Sequence, residues 1–195
     1  LTPSPARAIH IVLDGASGPM EVKGEQFNNA MVAWRKDLND EDIAAVVTDP
    51  PYGVDFMGKN TKHTKRGNDG YLTGDNADVG PHVIALCVER FGRVLVTPGI
   101  ANMWAYPPPV EVGSVYCPSG AGLGRWGFIG THPILYYGKC PYLQRGLGHR
   151  PNSFQSFATA PPNGHPCPKP LPWMEWLVQK ATVNEGDLIL DPFCG

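Results

Sequence analysis

Two short apolar runs, each stopped by an Asp-Pro turn, constrain this chain more than any other feature. Ile43-Ala44-Ala45-Val46-Val47-Thr48 leads into Asp49-Pro50-Pro51-Tyr52, and Leu188-Ile189-Leu190 leads into Asp191-Pro192-Phe193-Cys194-Gly195. Continuous apolar runs of this length, without polar alternation, mark strands buried on both faces, as in parallel sheets covered by helices. Arg93–Thr97 is a third such run, stopped by Pro98-Gly99. Helical spacing separates them. Pro81–Phe91 predicts a helix with Pro81 in its first turn and Val83, Ala85, Leu86 and Val88 inward. Leu171–Thr182 predicts another, with Met174, Leu177, Val178 and Ala181 on one face. Strands alternating with helices predict an α/β domain with a largely parallel sheet.

The remaining elements are less regular. Asp42–Thr48 and Asp187–Leu190 bound the two strands named above, Ala6–Leu13 predicts a further strand, and Glu25–Arg35 predicts a helix from the spacing of Phe27, Met31 and Trp34. Gly53–Asp78 is polar and reads as a long loop, while Glu111–Tyr116 and Pro133–Tyr137 are strands within an otherwise irregular stretch. The 23 glycines and 21 prolines are spread without a period, which excludes a collagen-like chain and points to many loops. With 195 residues a single domain with a sizeable core is expected.

Charge narrows the partners. Sixteen Lys and Arg face 18 Asp and Glu, a net charge of −2, so nucleic-acid contact requires a local basic patch. The cysteines, Cys87, Cys117, Cys140, Cys167 and Cys194, are odd in number and hold no C-x-x-C pair, which argues against a disulfide framework. No stretch reaches the ~18 apolar residues of a membrane span, and none has the layout of a signal peptide. A soluble protein of a bacterial or phage-infected cytoplasm is the expectation. The chain starts at Leu1 and stops on the turn Asp191–Gly195, which reads as a fragment cut at both sides.

The Asp49–Tyr52 turn has a definite chemical capacity. Its two prolines fix their own φ angles, extend the residue before them, and leave carbonyl oxygens with no competing N–H groups. Asp49 adds a carboxylate acceptor and Tyr52 a flat face. Together they suit a planar group bearing an NH₂, whose nitrogen lone pair becomes nucleophilic once both hydrogens are held. An Asp-Pro turn is also a common loop device. What separates the two readings is the pairing, because parallel strands would bring both turns to one rim, where open α/β sheets bind ligands.

With those residues in view, Thr48-Asp49-Pro50-Pro51-Tyr52-Gly53 resembles the catalytic motif of amino-directed DNA methyltransferases, and Asp191–Gly195 resembles the opening of their S-adenosylmethionine (SAM) loop. His165-Pro166-Cys167-Pro168-Lys169-Pro170 is similar to the family's entry into its cofactor-side helix. Catalytic motif first and SAM loop last is the order of the family's permuted β group, common in phages and restriction–modification systems. The resemblance implies a Rossmann-like methyltransferase fold, three-layered and here incomplete at its C-terminus, with a target-recognition insertion over about 119–164. It implies that Asp49, Pro50 and Tyr52 bind the target amine and Pro51 holds the turn. Asp191, Pro192, Phe193 and Gly195 would begin the SAM pocket, with Lys169 and Pro170 at the start of the methionine-side helix. Gly24-Glu25 stands near the family's Gly-Asp position. The implied reaction is methyl transfer from SAM to an exocyclic amine in DNA, adenine N6 ahead of cytosine N4, on a base flipped out of the duplex and without a metal. The Ser-Gly-Thr continuation of the SAM loop lies beyond this chain. RNA or protein-amide methylation, and a catalytically silent DNA-binding module, are the competing readings.

Other features carry two readings each. Lys59, Lys62, Lys65 and Arg66 either grip DNA phosphates beside the extruded base or form a solvated loop. Gly122–Gly127 matches G-x-G-x-x-G without the flanking strand and helix of a dinucleotide site, so it reads as a loop; the methyltransferase resemblance implies that this loop lies in the half nearer DNA, where Arg125 and Trp126 would touch phosphate or base. Cys140, His149, His165 and Cys167 fit no zinc spacing, and His10 and His132 read as structural histidines. Pro166-Cys167 lacks the partners of a deaminase motif.

Overall fold

The computed structural model describes residues 20–22, 25–27, 40–52, 79–118, 124–157 and 169–193. Its strands are β1 (Met20–Val22), β2 (Glu25–Phe27), β3 (Ile43–Thr48), β4 (Val94–Val96), β5 (Glu111–Tyr116), β6 (Thr131–Tyr137), β7 (Ser153–Gln155) and β8 (Leu188–Leu190). Its α-helices are α1 (Val79–Phe91), α2 (Pro141–Gln144) and α3 (Leu171–Ala181).

Six strands form one mixed sheet in the order β7-β5-β6-β4-β3-β8. β3 pairs parallel with both β4 and β8, β5 pairs parallel with β7, and β6 runs antiparallel to β4 and β5. Five strands therefore share one direction and β6 alone opposes them. The domain is α/β with a mostly parallel sheet.

Alternation along the strands explains the layers. Val46, Val94, Val96 and Leu135 face one side and pack on Val83, Ile84 and Cys87 of α1. Ala45, Val47, Leu95 and Ile134 face the other and pack on Trp173, Leu177 and Ala181 of α3. Both surfaces of β3 are thereby covered, which is why its sequence is apolar throughout. Ile84 and Leu177 are fully buried, and each such side chain contributes roughly 2 kcal/mol. Proline suits the openings of both helices: Pro81 stands third in α1, and Pro170 and Pro172 flank the first residue of α3, where no intrahelical N–H is needed.

Several expectations need correction. Glu25–Phe27 is strand, not the start of a helix, because it pairs antiparallel with Met20–Val22, from Met20 opposite Phe27 to Val22 opposite Glu25. That register leaves two residues between the strands, a common hairpin spacing. The inward face of α1 is Gly80, Val83, Ile84 and Cys87, while Ala85 and Leu86 are exposed. Gly80, Val83, Ile84 and Cys87 recur at i, i+3, i+4 and i+7, the spacing of one helical face, whereas Ala85 and Leu86 fall off it. β6 begins at Thr131, and its antiparallel direction leaves no trace in an apolar run. Within the expected target-recognition span, 119–164, the described residues include β6 and β7 of the main sheet. Ala6–Leu13 and Gly53–Asp78 lie outside the described residues. Among the described residues, no helix is long and apolar enough to cross a membrane.

Candidate active site

β3 and β8 are neighbours and parallel, so their Asp-Pro turns leave the sheet side by side. Thr48, the last residue of β3, donates its hydroxyl hydrogen to Asp191 Oδ1, joining positions 143 residues apart in sequence. The amide of Phe193 donates to the same oxygen at 3.0 Å, closing the second turn on itself. Phe193 is partly buried against the core on the α1 side. α1 follows β3 on one face and α3 precedes β8 on the other. The two turns therefore stand together at the carboxyl edge of the parallel strands, the edge at which open α/β sheets bind ligands.

Asp49 is the centre of the arrangement. Its Oδ1 accepts hydrogen bonds from Thr97 Oγ1 at 2.6 Å and from the Tyr52 hydroxyl at 2.7 Å. Its Oδ2 accepts from the Lys169 ammonium at 2.6 Å. The ion pair is largely withdrawn from water, with the Lys169 side chain 10% and the Asp49 side chain 22% exposed. Lys169 also stands 4.8 Å from the centroid of the Tyr52 ring, within cation–π range. The carboxylate is thus held by side chains from the ends of β3 and β4 and from the entry to α3.

Local backbone makes this possible. Gly99 has φ +71°, and a Cβ there would lie 2.9 Å from the Tyr52 ring, so glycine at this position lets the post-β4 turn lie against the aromatic face. Asn102 donates its side-chain amide to the Tyr52 carbonyl from the same turn. Gly80 does the equivalent on the other side. A Cβ there would meet the Tyr106 hydroxyl at 2.5 Å and Pro50 at 3.3 Å, so α1 approaches the turn closely. Tyr106 is buried, and its phenol is pushed far above the usual range by burial first, then by Asp49 and Tyr137. It stays neutral beneath the carboxylate.

The structure brings Asp49, Pro50, Pro51, Tyr52, Lys169, Pro170, Asp191, Pro192 and Phe193 to one edge of the sheet. Lys169 stands at the entry to α3 and also contacts the Asp49 carboxylate directly. Arg125 is exposed in the connection between β5 and β6, which leaves the sheet at this same edge across β4 and β6. Trp126 and Phe128 beside it are also exposed. Lys59, Lys62, Lys65, Arg66 and Gly195 lie outside the described residues, as do His165 and Cys167. Among the described residues, no three His, Cys, Asp or Glu side chains gather in metal-binding fashion. Cys87, Cys117 and Cys140 are free thiols, with burial pushing Cys87 up to about 11.

Sequence reasoning overlooked Thr48, Thr97 and Asn102. A signal was available for the threonines: Val47-Thr48-Asp49-Pro50 and Val96-Thr97-Pro98 both end a buried strand on threonine just before a proline turn. Compared with known proteins, the chain matches no family model and no curated protein.

Proposed function

We propose that this chain is the catalytic domain of an amino-directed DNA methyltransferase, Rossmann-like in fold, acting on adenine N6 in preference to cytosine N4. The observation that carries the reading is the junction of the two motifs. Asp49-Pro50-Pro51-Tyr52 and Asp191-Pro192-Phe193 meet on adjacent parallel strands, linked by the Thr48–Asp191 hydrogen bond. The residues present suit SAM as a methyl donor in two respects. Phe193 offers a partly buried ring at the rim, and the Asp49 carboxylate, an acceptor of amine hydrogens, stands one strand away. Bound at this edge, SAM supplies an electrophilic methyl group to an amine lone pair.

The chain's own contribution is orientation. Thr97 and Tyr52 hold Oδ1, so the carboxylate presents Oδ2 in a fixed direction. Lys169 occupies Oδ2 with an N–H donor. An exocyclic amine reaching Asp49 donates to the remaining lone pair of that oxygen, beside Lys169. Holding an N–H there draws the lone pair out of conjugation with the ring and aims it at the sulfonium methyl; the N–C bond would form as the S–C bond breaks, S-adenosylhomocysteine would leave, and the amine would pass one proton to Asp49 or water. A base reaches this depth only by leaving its duplex stack.

The test is nucleoside mass spectrometry on DNA from methylation-free cells expressing an open reading frame that contains this chain. N6-methyladenine above background is the expected result. Soluble protein with unmodified DNA overturns the reading.

A further inference from the structure

The pleat puts a residue not yet used on the face that carries Asp49. Successive strand residues face alternately, and Ala45 and Val47 of β3, Leu95 of β4, and Ile134 and Tyr136 of β6 all face α3. Asp49 and Thr97 continue that parity past the ends of β3 and β4. His132 continues it backwards along β6. Because β6 is antiparallel to β4, with Val96 opposite Leu135, the start of β6 and the end of β4 lie at the same edge. His132 therefore shares both face and edge with Asp49.

Packing fixes its surroundings. The His132 ring lies against Trp173, in the first turn of α3, with centroids 4.7 Å apart and planes inclined by 59°. Trp173 is 4% exposed, and its indole N–H is the one buried side-chain polar atom without a hydrogen-bond partner among the described residues. A neutral imidazole brings an acceptor nitrogen to such a donor, whereas an imidazolium brings only another N–H and a charge. Lys169 lies four residues before Trp173. We infer that His132 is a positioning residue for the Asp49–Lys169 pair, and that it acts only as the neutral imidazole.

The charged groups facing His132 among the described residues are Lys169, from the entry to α3, and Asp49, from the end of β3. Burial lowers the imidazole's proton affinity most, Lys169 lowers it further, and Asp49 opposes them; the net direction is down. A proton on His132 adds a second positive charge to the field of one carboxylate and repels the Lys169 ammonium that it holds. Lys169 loses its fixed place, and the orientation of Oδ2 goes with it. For activity, the inference rests on the methyltransferase reading.

The experiment follows the imidazole resonances of the whole chain by NMR from pH 5 to 8, in the wild type and in Lys169→Met. On the same preparations, KM for DNA and kcat are measured in the wild type and His132→Gln. The His132 midpoint is expected below the ordinary value of about 6.5, higher in Lys169→Met, and shared by the Trp173 indole N–H signal. In the wild type, kcat should fall about tenfold as pH drops through that midpoint with KM for DNA little changed, and His132→Gln should abolish the fall. A wild-type midpoint at or above the ordinary value overturns the inference, as does one indifferent to Lys169→Met. An unchanged kcat profile in His132→Gln overturns it equally. If Lys169→Met fails to fold, Asp49→Asn reads the same coupling with the opposite sign. Correct titration with no methyl transfer at any pH sinks the methyltransferase reading and leaves the positioning role standing.

Discussion

The two Asp-Pro turns have nearly the same sequence grammar and opposite structural roles. Asp191 is held by its own turn and the strand beside it: its Oδ1 takes the amide of Phe193, two residues on, and the hydroxyl of Thr48, adjacent in the sheet though 143 residues away in sequence. Asp49 is held across the molecule, by Thr97 from β4, by Tyr52 from its own turn and by Lys169 from 120 residues away. One carboxylate shapes a loop; the other has been brought into contact with a cation and an aromatic face and is still within reach of solvent. The difference shows that a motif's identity does not settle its function. What the neighbouring strands deliver to its side chain does.

The largest expected effect comes from breaking the long-range end of this comparison. Asp49→Ala leaves the Lys169 ammonium in a nearly dry site without its counter-charge, and breaking a buried pair from one side costs about 3–5 kcal/mol. The exposure of Asp49 argues for the lower end of that range. Methyl transfer should fall at least 100-fold, as for the loss of a preorganised electrostatic group. Asp49→Asn keeps the shape and removes the charge, and should recover much of the stability but little of the activity. Thermal denaturation and a methyl-transfer assay on the two variants separate the contributions. Equal activity in Asp49→Asn and wild type would remove Asp49 from the chemistry.

Next in size is the contrast between the two threonines. Thr97→Val and Thr48→Val each delete one hydroxyl donor from a carboxylate and keep the β-branched shape that fits a strand end. Each should cost about 1–2 kcal/mol, the usual penalty for removing a donor to a charged acceptor. They should differ in kinetics. Without Thr97, Asp49 is less firmly oriented, so kcat drops about tenfold. Without Thr48, the Asp191 turn loosens, and the effect should appear in KM for SAM with kcat preserved. If the two variants share one kinetic signature, the division of labour between the turns is wrong.

How much of this was legible beforehand follows physical lines. Strands buried on both faces, such as β3 and β4, announce themselves because both surfaces demand apolar residues. α3 did so because Leu177 and Ala181 recur at helical spacing on the face that meets the sheet. β7, with alternate residues exposed and only three positions long, carries no comparable signal. The direction of β6 is set by the route from β5, and no residue within it encodes that route. For the site, Asp49 and Asp191 were readable because proline turns are local. Thr97 was not singled out and His132 was read only as a structural histidine, since their relation to Asp49 exists only once β3, β4 and β6 are ordered side by side. Lys169 was found as the residue before a helix, but its reach to Asp49 depends on α3 covering this face of the sheet.

The smallest effect sharpens the comparison from the far end of β8. Burial pushes the Asp187 carboxyl upward, but the side-chain amide of Asn184, the backbone amides of Asn184 and Val183, and Arg145 outweigh it, so its affinity for a proton is net lowered. Those donors stand at 2.9 Å, 3.0 Å and 3.2 Å, and they shape the turn that feeds α3 into β8. A carboxyl with a depressed folded-state pKa contributes stability that is fully present above its unfolded value, near 3.9, and is lost as pH falls through the folded value. Asp187→Ala should therefore be less stable than wild type by on the order of 1 kcal/mol at pH 7, with the gap narrowing as pH drops below about 4. Denaturant titrations at several pH values measure the gap. Methyl transfer per folded molecule should be unaffected, because this carboxylate shapes the entry to β8 while the Asp191 turn is closed by Thr48 and Phe193 at its exit. A loss of activity greater than the loss of folded protein would mean that the α3–β8 turn helps to set Lys169 and Asp191, and that the local closure of the second turn is not sufficient to hold its side of the site.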